Sequence, residues 1–335
     1  MTAAPDRVPR ALAASRTPAA GHRWVRLVLR KVAEFVLVVA ILTVGVAVLI
    51  RLLPGDPATA ILGLNATPEQ LAALRQQLGL DQPLWQQVLH QLGGVISGDL
   101  GTSSQRNQPV SELIAAAFPI TLVLIVLSTI FAVVISVPIG LVEAWGARAW
   151  MNRGVRVTMV VLIAIPAFVI ALYLLLFFGV QLKVAPAGGW GGSWSGAFQY
   201  LWLPSLALAL FLIPLLVQVI MSSTHAVLSE EYVEAARSRG LGRSRIVFRH
   251  VLPNVLLPVI TLVGFSASIS LGAAVVIESV YGLPGFGSLV QNAVSSRDYP
   301  VVVGVTLVSG IFVVLVNMIT DLLLAAADPR VRRSS

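Results

Sequence analysis

Residues 118–142 read FPITLVLIVLSTIFAVVISVPIGLV, twenty-five residues without an ionisable side chain. A hydrocarbon core about 30 Å thick is crossed by about 20 apolar residues in helical form, so this run is long enough to span a bilayer. Five more runs repeat the pattern, at about Val32 to Leu53, Val155 to Val180, Leu201 to Met221, Val255 to Val280 and Pro300 to Leu324. A helix satisfies its own backbone polar groups in lipid, and the expected fold class is therefore all-α: a polytopic membrane protein of six transmembrane helices. Four runs carry interior prolines, at Pro138, Pro166, Pro204 with Pro214, and Pro258. Such prolines are tolerated where neighbouring helices satisfy the freed carbonyls, which points to a bundle. One hydrophobic soluble core would need polar helix faces that these runs lack.

Composition agrees. The 335 residues are 57% hydrophobic and 11% charged, against about a quarter charged in an average globular domain. The net charge of +8 does not mark a nucleic-acid binder, because the basic residues do not lie on a soluble domain with interleaved aromatics. With no cysteine, a disulfide framework, a thiolate metal site and a cysteine nucleophile are all excluded.

The basic residues are sided. Alternate loops and both ends hold eighteen Lys and Arg on one face of the membrane and five on the other. The positive-inside bias makes the richer face cytoplasmic, with both termini of the multi-pass protein inside, and the 21 Arg against 2 Lys fit a GC-rich bacterial genome. Residues 1–22, rich in Ala, Arg and Pro, read as a disordered cytoplasmic tail, and 23–53 as the first transmembrane helix. Residues 327–335 form the cytoplasmic C-terminus.

The extracytoplasmic segment 54–117 is long enough to need structure of its own. Thr67-Pro68-Glu69-Gln70 pairs a capping hydroxyl with a first-turn proline and a Gln three residues on, the pattern of a capping box, and a helix through about Leu78 follows. Asp81 can cap a second, from Pro83 to Leu92. The two either lie on the outer membrane surface or pack as a small extracytoplasmic domain.

On the opposite face, residues 223–253 form a loop whose centre reads Ser229-Glu230-Glu231-Tyr232-Val233-Glu234-Ala235-Ala236-Arg237-Ser238-Arg239-Gly240. Ser229 is a suitable N-cap, Glu230 and Glu231 complement the positive helix end, and Arg237 and Arg239 the negative end. Gly240 supplies a left-handed residue that stops the helix. A second helix is expected over Arg243 to Leu252, ending at Pro253. The product is an amphipathic elbow under the membrane, with Ala235 and Ala236 leaving room for a partner.

Glu234-Ala235-Ala236, Gly240 six residues after the Glu, and Leu252-Pro253 resemble the EAA loop of binding-protein-dependent ABC importer permeases; His250 departs from that pattern, which has Ile there. The resemblance extends from about residue 24 to 333. Leu53-Pro54-Gly55-Asp56-Pro57, Leu78-Gly79-Leu80-Asp81-Gln82-Pro83 and Gly98-Asp99-Leu100-Gly101 look like the B-type permease of the dipeptide and oligopeptide importers. So do Glu278-Ser279-Val280-Tyr281-Gly282-Leu283-Pro284-Gly285-Phe286-Gly287 and the ending from Asp321 to Arg330.

The resemblance implies a type I ABC importer permease fold, with five spans and the coupling loop in a core over 118–326. It implies that Glu230, Glu231, Tyr232, Glu234, Ala235, Ala236, Arg237 and Gly240 couple the chain to an ATPase. The implied partners are a second, C-type permease subunit, two cytosolic ATPase domains, which would bind ATP and Mg, and an external substrate-binding protein.

The chain offers no cofactor site of its own. It has no Walker A loop and no HExxH, its four histidines are scattered, and it is not expected to be an enzyme. The central parts of the spans hold few polar groups, with Gln218, Ser266, Ser270 and Asn317 the leading candidates to line a pathway. Glu278 either caps or pairs at the outer end of its helix or binds a substrate amine. A weakly polar lining suits passage and not capture, so selection and energy belong to other subunits. Short peptides are the expected cargo, with nickel, glutathione or haem as alternatives within the family. A self-sufficient ion-coupled carrier, which would ordinarily need intramembrane charge or broken helices, is the alternative from another class.

Overall fold

The computed structural model describes residues 20–52, 66–77, 97–145 and 149–327, together with a few positions between 59 and 94. The described elements are helical, apart from one isolated bridge pairing Thr102 with Pro109. Helix α1 runs Ala20–Leu52 and α2 Pro68–Gln77. The long helix α3 spans Val110–Ala144. Next come α4 (Ala149–Ala164) and α5 (Ala167–Leu174), which widens into a π turn over Leu175–Gln181. Helix α6 is Ala197–Leu228, and two short helices follow, α7 (Glu231–Ser238) and α8 (Arg243–Ile246). A second π turn, Val247–Val251, leads into α9 (Leu252–Tyr281). Helices α10 (Phe286–Ser295) and α11 (Tyr299–Ala327) complete the described fold.

Among the described residues, four helical stretches are long and apolar enough to cross a membrane: Val110–Ala144, Trp194–Leu228, Arg243–Tyr281 and Tyr299–Ala327. The run predicted as a continuous span from Val155 to Val180 is broken instead. Helices α4 and α5 meet at 103°, so together they make a bent fifth span or a re-entrant pair. Pro166 causes the break: its ψ of 140° is extended, it has no N–H to continue the ladder, and its carbonyl restarts helix by accepting from Val169 and Ile170. The prolines at 119, 138, 204, 214 and 258 stay inside continuous helices. In the first predicted span, the apolar stretch within α1 is Val32–Gly45.

Three apolar clusters hold the bundle, and α3 runs through all of them. Its first turns pack with α10 and α11 through Val110, Ile114, Phe286, Leu289 and Val305, where Phe118 meets Phe286 and Phe312 edge to face at 5.4 and 5.7 Å. Its middle, at Ile120 and Leu124, meets α5, α6 and α9. Its last turns join Leu212, Ile213 and Ile220 of α6, Val233 of α7, Ile246 of α8 and Val255 of α9. Gly140 lets α3 and α6 touch, since a Cβ there would lie 2.6 Å from Ile220 Cγ2. Helix α4 has no fully buried side chain within this chain: Val155 and Met159 pack partly against the bundle, and Val157, Val160 and Ile163 are exposed. Such an exposed apolar face marks a surface for lipid or another subunit.

The capping box at the start of α2 forms as the sequence predicts: Thr67 N–H donates to Gln70 Oε1 at 3.0 Å, and Gln70 N–H to Thr67 Oγ1 at 3.3 Å. The helix expected over Pro83 to Leu92 falls largely outside the described residues. So do residues 1–19 of the predicted tail and residues 328–335. Residues 97–109 lead into α3 and form a turn closed by the Thr102–Pro109 bridge. This turn is pinned to the α10–α11 connection by Ser103 Oγ and Ser104 N–H, which both donate to the Asp298 carboxylate.

Candidate coupling site

The elbow between α6 and α9 is built from short-range rules, with one correction. Ser229 does not cap α7. Its N–H closes the end of α6 on His225 and Val227 carbonyls and its hydroxyl donates to Ala226 O at 2.8 Å. The extended N-cap position falls to Glu230 (ψ 139°), which makes no side-chain cap. Glu231 and Glu234 still place negative charge in the first turn, against the positive helix end. At the other end Gly240 adopts φ +78°. Leu241 N–H reaches Ala236 O at 3.2 Å and Gly240 N–H reaches Arg237 O at 2.9 Å, the paired bonds of a Schellman stop.

The two faces of α7 divide cleanly. Val233 and Ala236 turn into the bundle, and Glu230, Glu231, Tyr232, Glu234, Ala235, Arg237 and Gly240 are exposed. Only Ala235, then, leaves room on the outer face. Ala236, 7% exposed, is small because the bundle lies against it. A concavity beside α7 is lined by Leu228, Ser229, Glu234, Arg237 and Ser238.

The helix predicted over Arg243 to Leu252 does not end at Pro253. Leu252 N–H bonds back five residues to Val247 O, and this wide turn admits the proline near the start of α9. Asn254 Nδ2 then donates to His250 O at 2.7 Å. Tyr232 of α7 lies beside this turn, its ring 5.9 Å from that of His250 and its hydroxyl 3.5 Å from Asn254 Nδ2.

Trp145 and Glu143, which sequence spacing does not single out, tie the elbow and α4 to the end of α3. Trp145, just past α3, has the guanidinium carbons of Arg243 and Arg237 5.0 and 5.8 Å from its ring centroid. Glu143, its side chain 2% exposed, pairs with Arg156 of α4 at 3.0 Å, and Asn152 Nδ2 donates to its backbone carbonyl.

The candidate pathway residues stand on three helices. Gln218 on α6 and Asn317 on α11 are exposed on this chain. Ser266 and Ser270 of α9 are buried, and Ser270 Oγ is satisfied by Ser266 O at 2.8 Å. Glu278 has no exposed surface. Its carboxylate lies over Gly285, where a Cβ would come within 2.3 Å of it, accepts from Ser288 N–H at 2.9 Å, and receives the Thr121 hydroxyl. It thus caps the N-terminus of α10 from a neighbouring helix, one of the roles its position in the sequence admits.

A bundle of long apolar helices with an elbow of short helices between two of them is the architecture of a polytopic membrane protein. The comparisons name its family. The description "Binding-protein-dependent transport system inner membrane component" matches residues 136–333, and its N-terminal counterpart matches residues 24–125. The chain belongs to this family. A putative peptide permease of Brucella suis biovar 1 is 40% identical over 299 residues, covering 87% of this chain and 94% of that protein. The glutathione transport system permease protein GsiC of Salmonella typhimurium is 37% identical over 305 residues, covering 91% and 98%. In structure, the chain is similar to the inward-facing MetNI methionine ABC transporter, with a TM-score of 0.54 and 18% identity over 64% of this chain and 96% of that one. The fold is thus that of a type I ABC importer permease.

Proposed function

We propose that this chain is the B-type permease of an ATP-driven importer that takes short peptides from an external binding protein and releases them into the cytoplasm. The observation that carries the reading is the outer face of α7, where Glu231, Tyr232, Glu234 and Ala235 stand exposed on an elbow held by apolar contacts beneath it. In this reading that face docks on one of two cytosolic ATPase domains, which bind ATP and Mg. A C-type permease subunit covers the apolar faces left open, and Gln218 and Asn317, exposed on this chain, face the shared pathway, with Ser266, Ser270 and Glu278 buried behind it.

The topology proposed with it has six spans, α1 being the first and the α4–α5 pair the third, and both termini in the cytoplasm. Residues 1–22 form a tail, 23–53 the first span, 54–117 an extracytoplasmic segment, 118–326 the core with its coupling loop at 223–253, and 327–335 the C-terminus. The names of the relatives support peptides and glutathione, itself a tripeptide, as cargo. The same family membership removes support from a self-sufficient ion-coupled carrier.

The test uses the whole importer in proteoliposomes. Glu234→Ala and Gly240→Ala should insert normally, yet lower uptake per ATP hydrolysed by about tenfold, within the range of ordinary coupling energies. Unchanged uptake per ATP in both variants would refute the coupling assignment. Competition by dipeptides, longer peptides and glutathione for uptake decides the cargo.

A further inference from the structure

We propose that Trp145 is the positioning residue through which movement of the elbow reaches α3. The proposal rests on the coupling reading of α7 given above. The elbow is covalently continuous with α6 through Ser229 and Glu230, and with α9 through Val247–Val251. It has no such link to α3, although α3 runs through all three apolar clusters and shares the broadest helix interface of the fold with α6. Any movement of the elbow relative to α3 is therefore transmitted by side chains.

Trp145 stands where that transmission is possible. Its N–H closes the last turn of α3 on Leu141 O at 3.1 Å, so the residue is fixed to the helix end. The two cations on its ring come from opposite sides of the Gly240 turn: Arg237 from the last turn of α7, and Arg243 from the first turn of α8. Their guanidinium carbons lie 5.8 and 5.0 Å from the ring centroid. An indole face attracts cations through its quadrupole more strongly than other aromatic rings do. Arg243 Nη2 also donates to Trp145 O at 3.2 Å, where a cation complements the negative end of the helix.

Both arms of the elbow are thus referenced to one ring. A displacement of the elbow as a unit carries both guanidinium groups the same way, and both stay on the indole only if the end of α3 moves with them. The apolar contacts of Val233 and Ile246 also hold both arms of the elbow against the bundle, and the two guanidinium groups add a polar link at the very end of α3.

The experiment uses the complete importer in proteoliposomes with a radiolabelled dipeptide, or radiolabelled glutathione where the dipeptide is not taken up, and reads uptake per ATP hydrolysed. Trp145→Ala should lower that ratio about tenfold, and Trp145→Phe, which keeps an aromatic face, should recover most of it. Where Trp145→Ala does not assemble, the double variant Arg237→Gln with Arg243→Gln leaves the indole in place and should lower the ratio likewise. An unchanged ratio in these variants, alongside uncoupling by Glu234→Ala and Gly240→Ala, overturns the clamp and leaves the coupling reading standing. Normal ratios in all of them remove the coupling reading itself. Equal losses of uptake and hydrolysis make Trp145 a structural residue only and also overturn the proposal.

Discussion

Thr121 on α3 and Glu278 on α9 are joined by a direct hydrogen bond inside the bundle, although 157 residues separate them in the chain. The same hydroxyl accepts the N–H of Phe286 at 2.7 Å, and the far oxygen of the carboxylate accepts that of Ser288 at 2.9 Å. One threonine and one glutamate therefore hold the first turn of α10 between two long helices, and they satisfy N–H groups that a helix start leaves open. Thr121→Val keeps the shape but leaves the Phe286 N–H and one carboxylate oxygen without a partner. The expected cost is about 2 kcal/mol or more, read as a lower melting temperature of the detergent-solubilised protein.

Gly285 is required by space and not by its backbone angles. Its φ of −90° suits any residue, yet a Cβ would fall within 2.3–2.5 Å of the Glu278 carboxylate. Gly285→Ala should therefore destabilise the protein by about 1–3 kcal/mol, the usual range for overpacking. Combining it with Glu278→Ala should recover part of the packing loss, although the α10 cap stays missing. Thermal unfolding of the single and double variants checks both statements.

The Glu143–Arg156 pair predicts an asymmetry. Glu143 is enclosed, whereas the Arg156 side chain is 68% exposed. Arg156→Ala leaves a buried carboxylate without its cation, a change more costly than removing the charge itself. Glu143→Gln removes the charge and keeps a hydrogen-bonding group. Melting temperatures should therefore fall further for Arg156→Ala than for Glu143→Gln, and the reverse order would contradict the burial argument.

Asp298 fastens residues 97–109 to the α10–α11 connection by accepting from Ser103 and Ser104. Arg106 sits exposed in the fastened turn, its N–H held by Ser103 Oγ at 3.0 Å. Asp298→Ala should loosen the turn and speed tryptic cleavage after Arg106 in the otherwise folded protein, while Asp298→Asn, which keeps one acceptor, should be intermediate. The cleavage rate on a gel is the readout.

What the sequence makes legible here is mostly local. The capping box at Thr67 and the stop at Gly240 form as read, because each is decided by atoms within a few residues. Apolar runs mark the helices for the same reason: their length and lack of charge need no knowledge of neighbours. Proline is harder to read. Pro166 breaks its run while Pro138, Pro204 and Pro214 do not, since the outcome turns on what surrounds the freed carbonyl. Ser229 is equally suited to starting α7 or finishing α6, and only the path of the chain decides. Trp145 escapes sequence reading because its partners lie 92 and 98 residues away. For Glu278 the sequence admits both a cap and a bound amine, and the fold engages it at α10.

The wide turn at Val247–Val251 also constrains how this region can change in length. It holds one residue more than a regular turn would, and each residue of an α-helix corresponds to about 100° of rotation. The surplus residue is taken up within the wide turn itself, so deleting one residue there would restore regular winding with the elbow close to its present phase. It would also press the ring of Pro253 against the carbonyl four residues before it, a contact that the wide turn relieves. This stretch should thus tolerate the loss of one residue only when Pro253 is replaced as well, so that its length and its proline are a matched pair.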